Sequence, residues 1–200
     1  MKQFIYNYLY FLFLIPLIFC GTNLVVDPYD LFDLINVQGF NRVKPYTRDN
    51  DQIHKPVTLY RINPEVVILG SSITQLGIDP NEVERITGLR AYNFGIDGPT
   101  MYEIHSFFNF AVQNTNAKKM IVVIDFMMFS GARGLYNSRY NYDRMQMDLS
   151  KGILGYLSPK EMVKVFLSTS TFIKSLQTVF KQSGQSYYDD LGFIRKQNVL

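Results

Sequence analysis

The chain has 200 residues, a formal net charge of +3 and a hydrophobic content of 47%. This length suits one globular domain with a short appendage, and it excludes two full domains. No run of five or more Lys and Arg residues occurs, so the sequence predicts no nucleic-acid partner. The only cysteine, Cys20, excludes an intramolecular disulfide and a cysteine-based metal site, and the sequence predicts neither a metal nor a cofactor.

Residues 1–26 are predicted to form a transmembrane anchor. The segment from Phe4 to Val26 is mostly apolar and contains no charged residue, and about 20 residues are enough to cross the hydrocarbon core of a bilayer. Pro16 is tolerated in a membrane helix where neighbouring groups satisfy the freed carbonyl. A cleaved signal peptide is the alternative, but no small-x-small cleavage site precedes the polar region, and Phe19 is too bulky to precede the cysteine of a lipoprotein signal.

Charges at the two ends of this segment predict its orientation. Lys2 and the α-amino group precede the segment, whereas Asp27, Asp30 and Asp33 follow it. Because positive charge is retained on the cytoplasmic side of a membrane, we expect a single-pass protein with its N-terminus inside and its C-terminal domain extracytoplasmic.

The rest of the chain is predicted to contain an arm and one folded domain. Residues 27–58 mix Gly39, Pro45 and scattered charges without a sustained hydrophobic period, which is typical of a linker and packing arm. The folded domain is expected over residues 59–200.

Three apolar runs predict the strands of this domain. The run from Val66 to Leu69 is bounded by Pro64 and Gly70, and two further runs cover Ala91 to Phe94 and Met120 to Ile124. Continuous apolar runs of this length are typical of strands buried on both faces of a parallel sheet. Their alternation with helical segments predicts an α/β fold with right-handed crossovers.

Helix starts are marked by capping residues. The three starts are Asp79 followed by Pro80, the capping box of Thr100 with Glu103, and Ser158 followed by Pro159. The last start leads into apolar residues at helical spacing, which are Phe172, Leu176, Val179 and Phe180. This pattern predicts either one long helix or two short ones.

The candidate functional residues follow the carboxyl ends of the predicted strands. Gly70-Ser71-Ser72 follows the first strand, Gly95 to Thr100 follows the second, and Asp125 to Phe129 follows the third. Open α/β sheets bind ligands beyond the carboxyl ends of their strands. A serine on a tight strand-to-helix turn can present its hydroxyl outward with amide donors nearby, although an ordinary turn explains Gly-Ser-Ser as well.

Two of these turns resemble conserved blocks of the SGNH/GDSL hydrolases. The stretch from Val66 to Thr74 is similar to the first block, which places Ser72 at the nucleophile position and Ser71 where the family has Asp. The stretch from Tyr92 to Thr100 is similar to the second block, which makes Gly98 the oxyanion-hole glycine. The resemblance covers about Val66 to Phe129, and it implies a three-layer, flavodoxin-like parallel sheet.

A narrower resemblance points to a branch of that family. Gly-Ser-Ser followed by Gly-Ile-Asp-Pro at 77–80, behind a membrane helix, is similar to envelope-facing SGNH-like proteins that are associated with acylation of cell-surface polysaccharides. The resemblance therefore implies an envelope polysaccharide as partner and an acyl ester as the reacting group.

The later blocks of the family do not match. The third block supplies an Asn donor, whereas residues Phe126 to Phe129 contain no amide side chain. The fourth block supplies Asp-x-x-His, but the only histidines are His54, which precedes the first strand, and His105, which lies inside a predicted helix. Without a base, a serine hydroxyl is a weak nucleophile at neutral pH, so neither residue completes a hydrolase around Ser72.

The resemblance implies five strands, whereas three are predicted here. We therefore expect a partial domain that resembles the first part of a longer protein. A shortened gene product, an incomplete sequence and a domain completed by another subunit would each account for it. Two function classes follow: a membrane-anchored ester hydrolase or O-acyltransferase, and a non-catalytic module or inactive remnant without the Asp-x-x-His pair. A binding module would use Arg133, Arg139 and Arg144 as a rim for an anionic glycan, although a solvated loop explains these arginines too.

Overall fold

A computed structural model of the chain describes residues 2–130, 149, 152–182 and 186–196. The described α-helices are α1 (Lys2–Val26), α2 (Asp51–Ile62), α3 (Ser72–Gly77), α4 (Pro80–Thr87), α5 (Met101–Asn114), α6 (Ile153–Tyr156), α7 (Pro159–Leu167) and α8 (Thr169–Phe180). The described strands are β1 (Val66–Gly70), β2 (Ala91–Gly95), β3 (Lys119–Val122), β4 (Ser186–Tyr188) and β5 (Ile194–Lys196). Two 3-10 helices cover Thr47–Asn50 and Phe126–Phe129.

Strands β1, β2 and β3 form a parallel sheet in the order β2-β1-β3. The mixed α/β class, the parallel pairing and the three expected strands are confirmed. The boundaries differ slightly, because β2 continues to Gly95 and β3 covers Lys119–Val122, which begins and ends earlier than the run from Met120 to Ile124.

Helices cover both faces of this sheet. Alternate residues of β1 enter two separate clusters, since Val67 and Leu69 belong to the larger cluster and Val66 and Ile68 to the smaller one. The larger cluster is formed with α2, α5 and α7, and the smaller one includes Val83 of α4. This alternation is the expected behaviour of a strand that is buried on both faces.

The predicted helix starts are confirmed. The Asp79 side chain accepts a hydrogen bond from the Asn81 N–H at the start of α4. Helix α5 begins with the capping box of Thr100 and Glu103, and α7 begins with an equivalent box at Ser158 and Glu161. The last helical pattern forms two helices, α7 and α8, which meet at Ser168.

Helix α2 begins inside the segment 27–58, which the sequence predicted as linker and arm, and continues four residues beyond it. Nine of its twelve residues are buried, among them Asp51, His54 and Lys55. A hydrophobic period reveals a helix only when its buried face is apolar, and the buried face of α2 is largely polar. The helix over residues 51–58, within the predicted linker and packing arm, was therefore not predicted from the sequence.

The antiparallel hairpin of β4 and β5 covers the β2 edge of the sheet. The Leu191 carbonyl in its turn accepts a hydrogen bond of 2.8 Å from the Asn93 N–H of β2. Gly192 takes a positive φ of 76°, and a Cβ on it would lie 2.5 Å from the Asn93 carbonyl oxygen. Only glycine allows this turn to approach the strand so closely.

The end of α1 is attached to α7 and α8. The Asn23 side-chain amide donates to the Phe166 carbonyl at 3.0 Å, and its oxygen accepts from the Ser175 hydroxyl at 2.8 Å. Phe19 and Phe172 stack with their ring centroids 4.5 Å apart. The 21-residue stretch Tyr6–Val26 is long and apolar enough to span a membrane.

We predict that Gly95→Ala destabilises the fold. A Cβ at Gly95 would lie 2.8 Å from the Gln75 backbone nitrogen, so α3 would have to move away from the end of β2. Overpacking of this kind costs about 1–3 kcal/mol in the free energy of unfolding. Urea unfolding of the full chain in detergent micelles measures this change.

The matched control is Gly77→Ala at the last residue of α3, where a Cβ would meet nothing within 4 Å. We expect the control to change the free energy of unfolding by less than about 0.5 kcal/mol. Equal stability of the two variants would contradict the tight packing at Gly95.

Candidate functional site at the carboxyl edge of the sheet

The strand order creates a switch point beside β1. From β1 the chain crosses to β2 on one side and then to β3 on the other. Crossovers that leave in opposite directions open a crevice beyond the carboxyl ends of the two strands at the switch point, here β1 and β3. Open α/β sheets bind ligands in this crevice. The turns after β1 and β3 therefore border the candidate site.

Ser71 and Ser72 form the turn after β1. Ser71 is the N-cap of α3, and its hydroxyl accepts a hydrogen bond of 3.3 Å from the Ile73 N–H. Ser72 is the first residue of α3 and is partly exposed. Within the described part of the chain its hydroxyl has no hydrogen-bond partner, so Ser71 has a structural role and Ser72 has a hydroxyl available for chemistry.

Close packing holds this turn against the sheet. The Thr74 side chain occupies the space that a Cβ on Gly70 would need. The Asn93 side-chain amide donates to the carbonyls of Thr74 and Ile78 at 2.7 and 2.9 Å, and the Gln75 amide donates to the Gly95 carbonyl at 3.0 Å. The position of Ser72 is therefore fixed by hydrogen bonds that join α3 and its C-cap to β2.

The turn after β2 lies at the same edge. The Ile96 N–H donates to the Gly70 carbonyl at 3.0 Å, which joins this turn to the residue just before Ser71. Gly98 has a φ of 58°, in the left-handed region that favours glycine. The structure thus brings the turn of Ser72 and the turn of Gly98 to one edge of the sheet.

Two charged groups hold the second turn against the arm. The Arg48 guanidinium lies 3.2 Å from the Asp97 carboxylate. The Asp51 carboxylate accepts a hydrogen bond of 3.3 Å from the Asp97 N–H. Asp51, at the start of α2, therefore helps to position the turn that contains Gly98.

Asp125 is the ionisable residue that follows β3. The last pair of the β1–β3 ladder is Leu69 with Val122, so Ser72 and Asp125 each lie three residues beyond that pair. One carboxylate oxygen of Asp125 is buried and has no hydrogen-bond partner in the described segments. Residues Phe126–Phe129 form a 3-10 helix with no amide side chain, so the third-block donor is absent from this stretch.

Neither histidine contacts Ser72 in the described structure. His54 is buried in α2, where its Nδ1 lies 3.4 Å from the Thr58 hydroxyl and 3.7 Å from the Asp30 carboxylate, and its ring stacks on Tyr188. Burial, with smaller contributions from nearby cations, lowers the pKa of His54 to about 3. His105 is exposed on α5 and contacts Asn109.

Sequence reasoning missed a buried lysine beside β2. The Lys55 ammonium donates to the carbonyls of Asn93 and Gly192, and it lies 4.1 Å from the centre of the Tyr188 ring. Burial lowers the pKa of Lys55 to about 7, and the Asp51 carboxylate opposes this shift. The only signal in the sequence is the i, i+4 spacing of Asp51 and Lys55, which has meaning once the helix is known.

A separate polar cavity of about 580 Å³ lies between the arm and the β4–β5 hairpin. Its charged lining residues are Asp30, Arg42, Lys44, Asp189 and Asp190. None of its lining residues belongs to the turns after β1, β2 or β3. The candidate rim residues Arg133, Arg139 and Arg144 lie outside the described residues.

Within the described ranges, no group of three or more His, Cys, Asp or Glu side chains is arranged to hold a metal ion. Comparison of the chain with models of protein families, with curated proteins and with solved structures gives no match. The SGNH-type assignment therefore stays a prediction.

We predict that Lys55 makes the stability of the protein pH-dependent. The pKa of Lys55 is about 7 in the folded protein and has an ordinary value of 10.5. Between these values the unfolded chain binds more protons, so the free energy of unfolding rises as the pH rises. From about pH 7.5 to 9.5 we expect an increase on the order of 1–3 kcal/mol, measured by urea unfolding in detergent.

Lys55→Met removes the titrating group and should flatten this rise, whatever its effect on absolute stability. Lys118→Met is the matched control, because Lys118 is exposed and paired with Glu65 at the surface. The control should keep the slope of the unmodified protein. An unchanged slope in Lys55→Met would show that another group causes the pH dependence.

Proposed function

We propose that the protein is a membrane-anchored serine acyl-ester hydrolase or O-acyltransferase of the SGNH type that acts on a cell-envelope polysaccharide. The observation that carries this proposal is the position of Ser72. It is the first residue of α3, directly after the central strand, and it borders the switch point with a partly exposed hydroxyl that has no partner in the described part of the chain. A serine in this position can attack an ester held in the crevice.

The proposed reaction forms an acyl-serine. The Ser72 Oγ attacks the ester carbonyl carbon, its proton passes to a base, and backbone amides of the glycine turn that contains Gly98 stabilise the oxyanion. The bond to the alcohol oxygen then breaks, and that oxygen takes the proton. The acyl group leaves Ser72 by transfer to water in a hydrolase or to a glycan hydroxyl in a transferase.

Asp125 is our candidate for the group that accepts the Ser72 proton. The register places both residues equally far beyond the last β1–β3 pair, on the two sides of the switch point. One of its carboxylate oxygens is buried and has no partner among the described residues, which supports a role in the crevice, since buried polar groups in proteins are normally hydrogen-bonded. The two histidines lie elsewhere, in α2 and on the surface of α5.

The membrane part of the proposal places the site on the outer face of the membrane. The length and apolar composition of α1 support a spanning anchor. Lys2 before the helix and the three aspartates after it support an N-terminus inside. An extracytoplasmic domain would then meet envelope polysaccharides directly.

A second candidate is a non-catalytic module that binds an envelope glycan. Two observations favour it: neither histidine contacts Ser72 in the described structure, and residues Phe126–Phe129 supply no amide donor. Loss of one oxyanion donor costs about 10²–10³ in rate, and loss of the histidine base removes the usual activation of serine. The two candidates differ in whether Ser72 is nucleophilic.

The test is covalent labelling of the full chain in detergent with a fluorophosphonate, which reacts with activated serines. We expect the protein to be labelled and Ser72→Ala to lose labelling by about 10²-fold or more. Asp125→Asn should slow labelling by about 10²–10⁴-fold if Asp125 accepts the proton. The adduct is located by mass spectrometry.

Ser170→Ala is the matched control, because Ser170 is an exposed serine on α8, and it should be labelled like the unmodified chain. Equal labelling of Ser72→Ala would exclude Ser72 as a nucleophile. Absence of labelling in the unmodified chain would reject the enzyme and favour the binding module.

A further inference from the structure

The polar and apolar faces of helix α8 are exchanged relative to those of a helix on the surface of a water-soluble protein. Its buried face is polar, since Thr171, Ser175 and Thr178 are exposed by only 1%, 0% and 0%. Its outward face is apolar, with Ile173 exposed by 53% and Phe180 by 84%. Surface helices normally place the apolar stripe toward the core, so the surroundings of α8 are expected to be apolar.

The buried polar face of α8 is satisfied by hydrogen bonds. The Ser175 hydroxyl donates to the Asn23 side chain at 2.8 Å, and the Thr171 hydroxyl donates to the Lys164 carbonyl at 2.7 Å. The Thr178 hydroxyl donates to the Lys174 carbonyl at 2.8 Å. Small hydroxyl residues that join closely packed helices are typical of helix interfaces in membranes. The exchange of faces is therefore a stable arrangement of this helix.

The apolar face continues onto the membrane-spanning helix. A shallow apolar groove of about 460 Å³ lies between α1 and α8, and its lining includes Val25, Phe40, Leu176 and Phe180. Leu176 is itself exposed by 42%. The outward apolar residues of α8 and the end of α1 thus form one continuous apolar surface.

The depth of α8 follows from its contacts with α1. Phe172, in the first turn of α8, stacks on Phe19, which lies seven residues before Val26 at the end of the proposed span. At about 1.5 Å per residue this places the start of α8 about 10 Å below the end of the span. The Ser175–Asn23 hydrogen bond and the groove shared by Phe180 and Val25 show that α8 runs beside α1 toward the end of the span. Its outward face therefore lies within about 10 Å of that end, which matches the depth of about 5–10 Å to which interfacial amphipathic helices bury their apolar faces.

The charges of α8 fit the same location. The helix contains no acidic residue, and Lys174 lies on it while Lys181 follows it directly. The Lys174 ammonium is paired with the Asp49 carboxylate at 2.7 Å, and the Lys181 ammonium lies 3.4 Å from the Tyr46 hydroxyl. Both charges are therefore held against the arm.

We propose that α8 is an interfacial helix whose outward face, Ile173, Leu176 and Phe180, is inserted among lipid acyl chains beside α1. This inference rests on the proposed membrane anchor. It makes the lipid bilayer a second binding partner of the folded domain and fixes how the domain is oriented on the membrane.

The chain contains no tryptophan, so single tryptophan substitutions report their own surroundings. The full chain carrying Phe180→Trp is reconstituted into phosphatidylcholine and phosphatidylglycerol vesicles with and without brominated acyl chains. We expect bromine to reduce its emission by about twofold or more, because the indole replaces a side chain at acyl-chain depth. Ile86→Trp is the matched control, since Ile86 is exposed by 75% on α4, and its emission should not change.

Leu12→Trp, in the middle of α1, separates failure of the anchor from failure of the inference. If Leu12→Trp is quenched while Phe180→Trp is solvent-exposed and unquenched, the insertion of α8 is overturned and the anchor stands. An unquenched Leu12→Trp would reject the anchor and the inference with it. A blue-shifted but unquenched Phe180→Trp would show that a second copy of the chain, and not lipid, covers this face.

Discussion

The hydrogen bonds of Asn23 join the apolar N-terminal helix to the folded domain. An amide side chain near the end of an apolar helix is costly unless it is bonded, and here its donor and acceptor groups are used by Phe166 and Ser175. The last carbonyl of the helix is satisfied as well, since Lys44 donates to the Val26 oxygen at 2.8 Å and Asn41 donates to it at 3.2 Å. The helix therefore ends inside the domain and not in a free linker.

The arm that follows is built to keep this connection rigid. Asp27, Asp30 and Asp33 all have positive φ values, which cost roughly 1–3 kcal/mol each for residues other than glycine. The Asp27 carboxylate offsets this cost by accepting hydrogen bonds from the N–H groups of Leu31, Phe32 and Asp33 at 2.8–3.0 Å. The tightly folded arm therefore fixes the position of α1 relative to α2. Helix α2 in turn holds the turn that contains Gly98 through the Asp51 carboxylate.

Buried polar groups connect the same arm to the far edge of the sheet. Lys55 of α2 joins the carbonyls of Asn93 and Gly192, so one ammonium group holds the β4–β5 hairpin against β2. The candidate site beside Ser72, the sheet and α1 are thus linked by hydrogen bonds through α2 and the arm. If α8 lies in the bilayer interface, the crevice at the carboxyl edge has a fixed orientation relative to the membrane.

The sequence predicted those parts of the fold that depend on local chemistry. The strand run from Val66 to Leu69 and the caps at Asp79 and Thr100 were predicted correctly, because apolar runs and caps act within a few residues. Helix α2 was missed because its buried face contains Lys55 and other polar groups whose partners are distant in sequence. The apolar spacing around Leu176 predicted a helix, but not that its apolar side would face outward, since this depends on contacts with distant residues such as Asn23. At the candidate site, turn signals pointed to Ser72 and the resemblance to the SGNH blocks pointed to Gly98, whereas Asp125 became a candidate only when the strand order was known.

Hydrogen exchange of the backbone amides at the end of α1 tests the central claim most directly. The full chain in lipid nanodiscs is exchanged into deuterated buffer, and residues 23–33 are followed by mass spectrometry. If α1 ends inside the domain, these amides exchange as slowly as those of the central strand β1, and Asn23→Leu makes them exchange faster while β1 stays protected. Fast exchange of residues 23–33 in the unmodified chain, at the rate of an unstructured linker, would contradict the account.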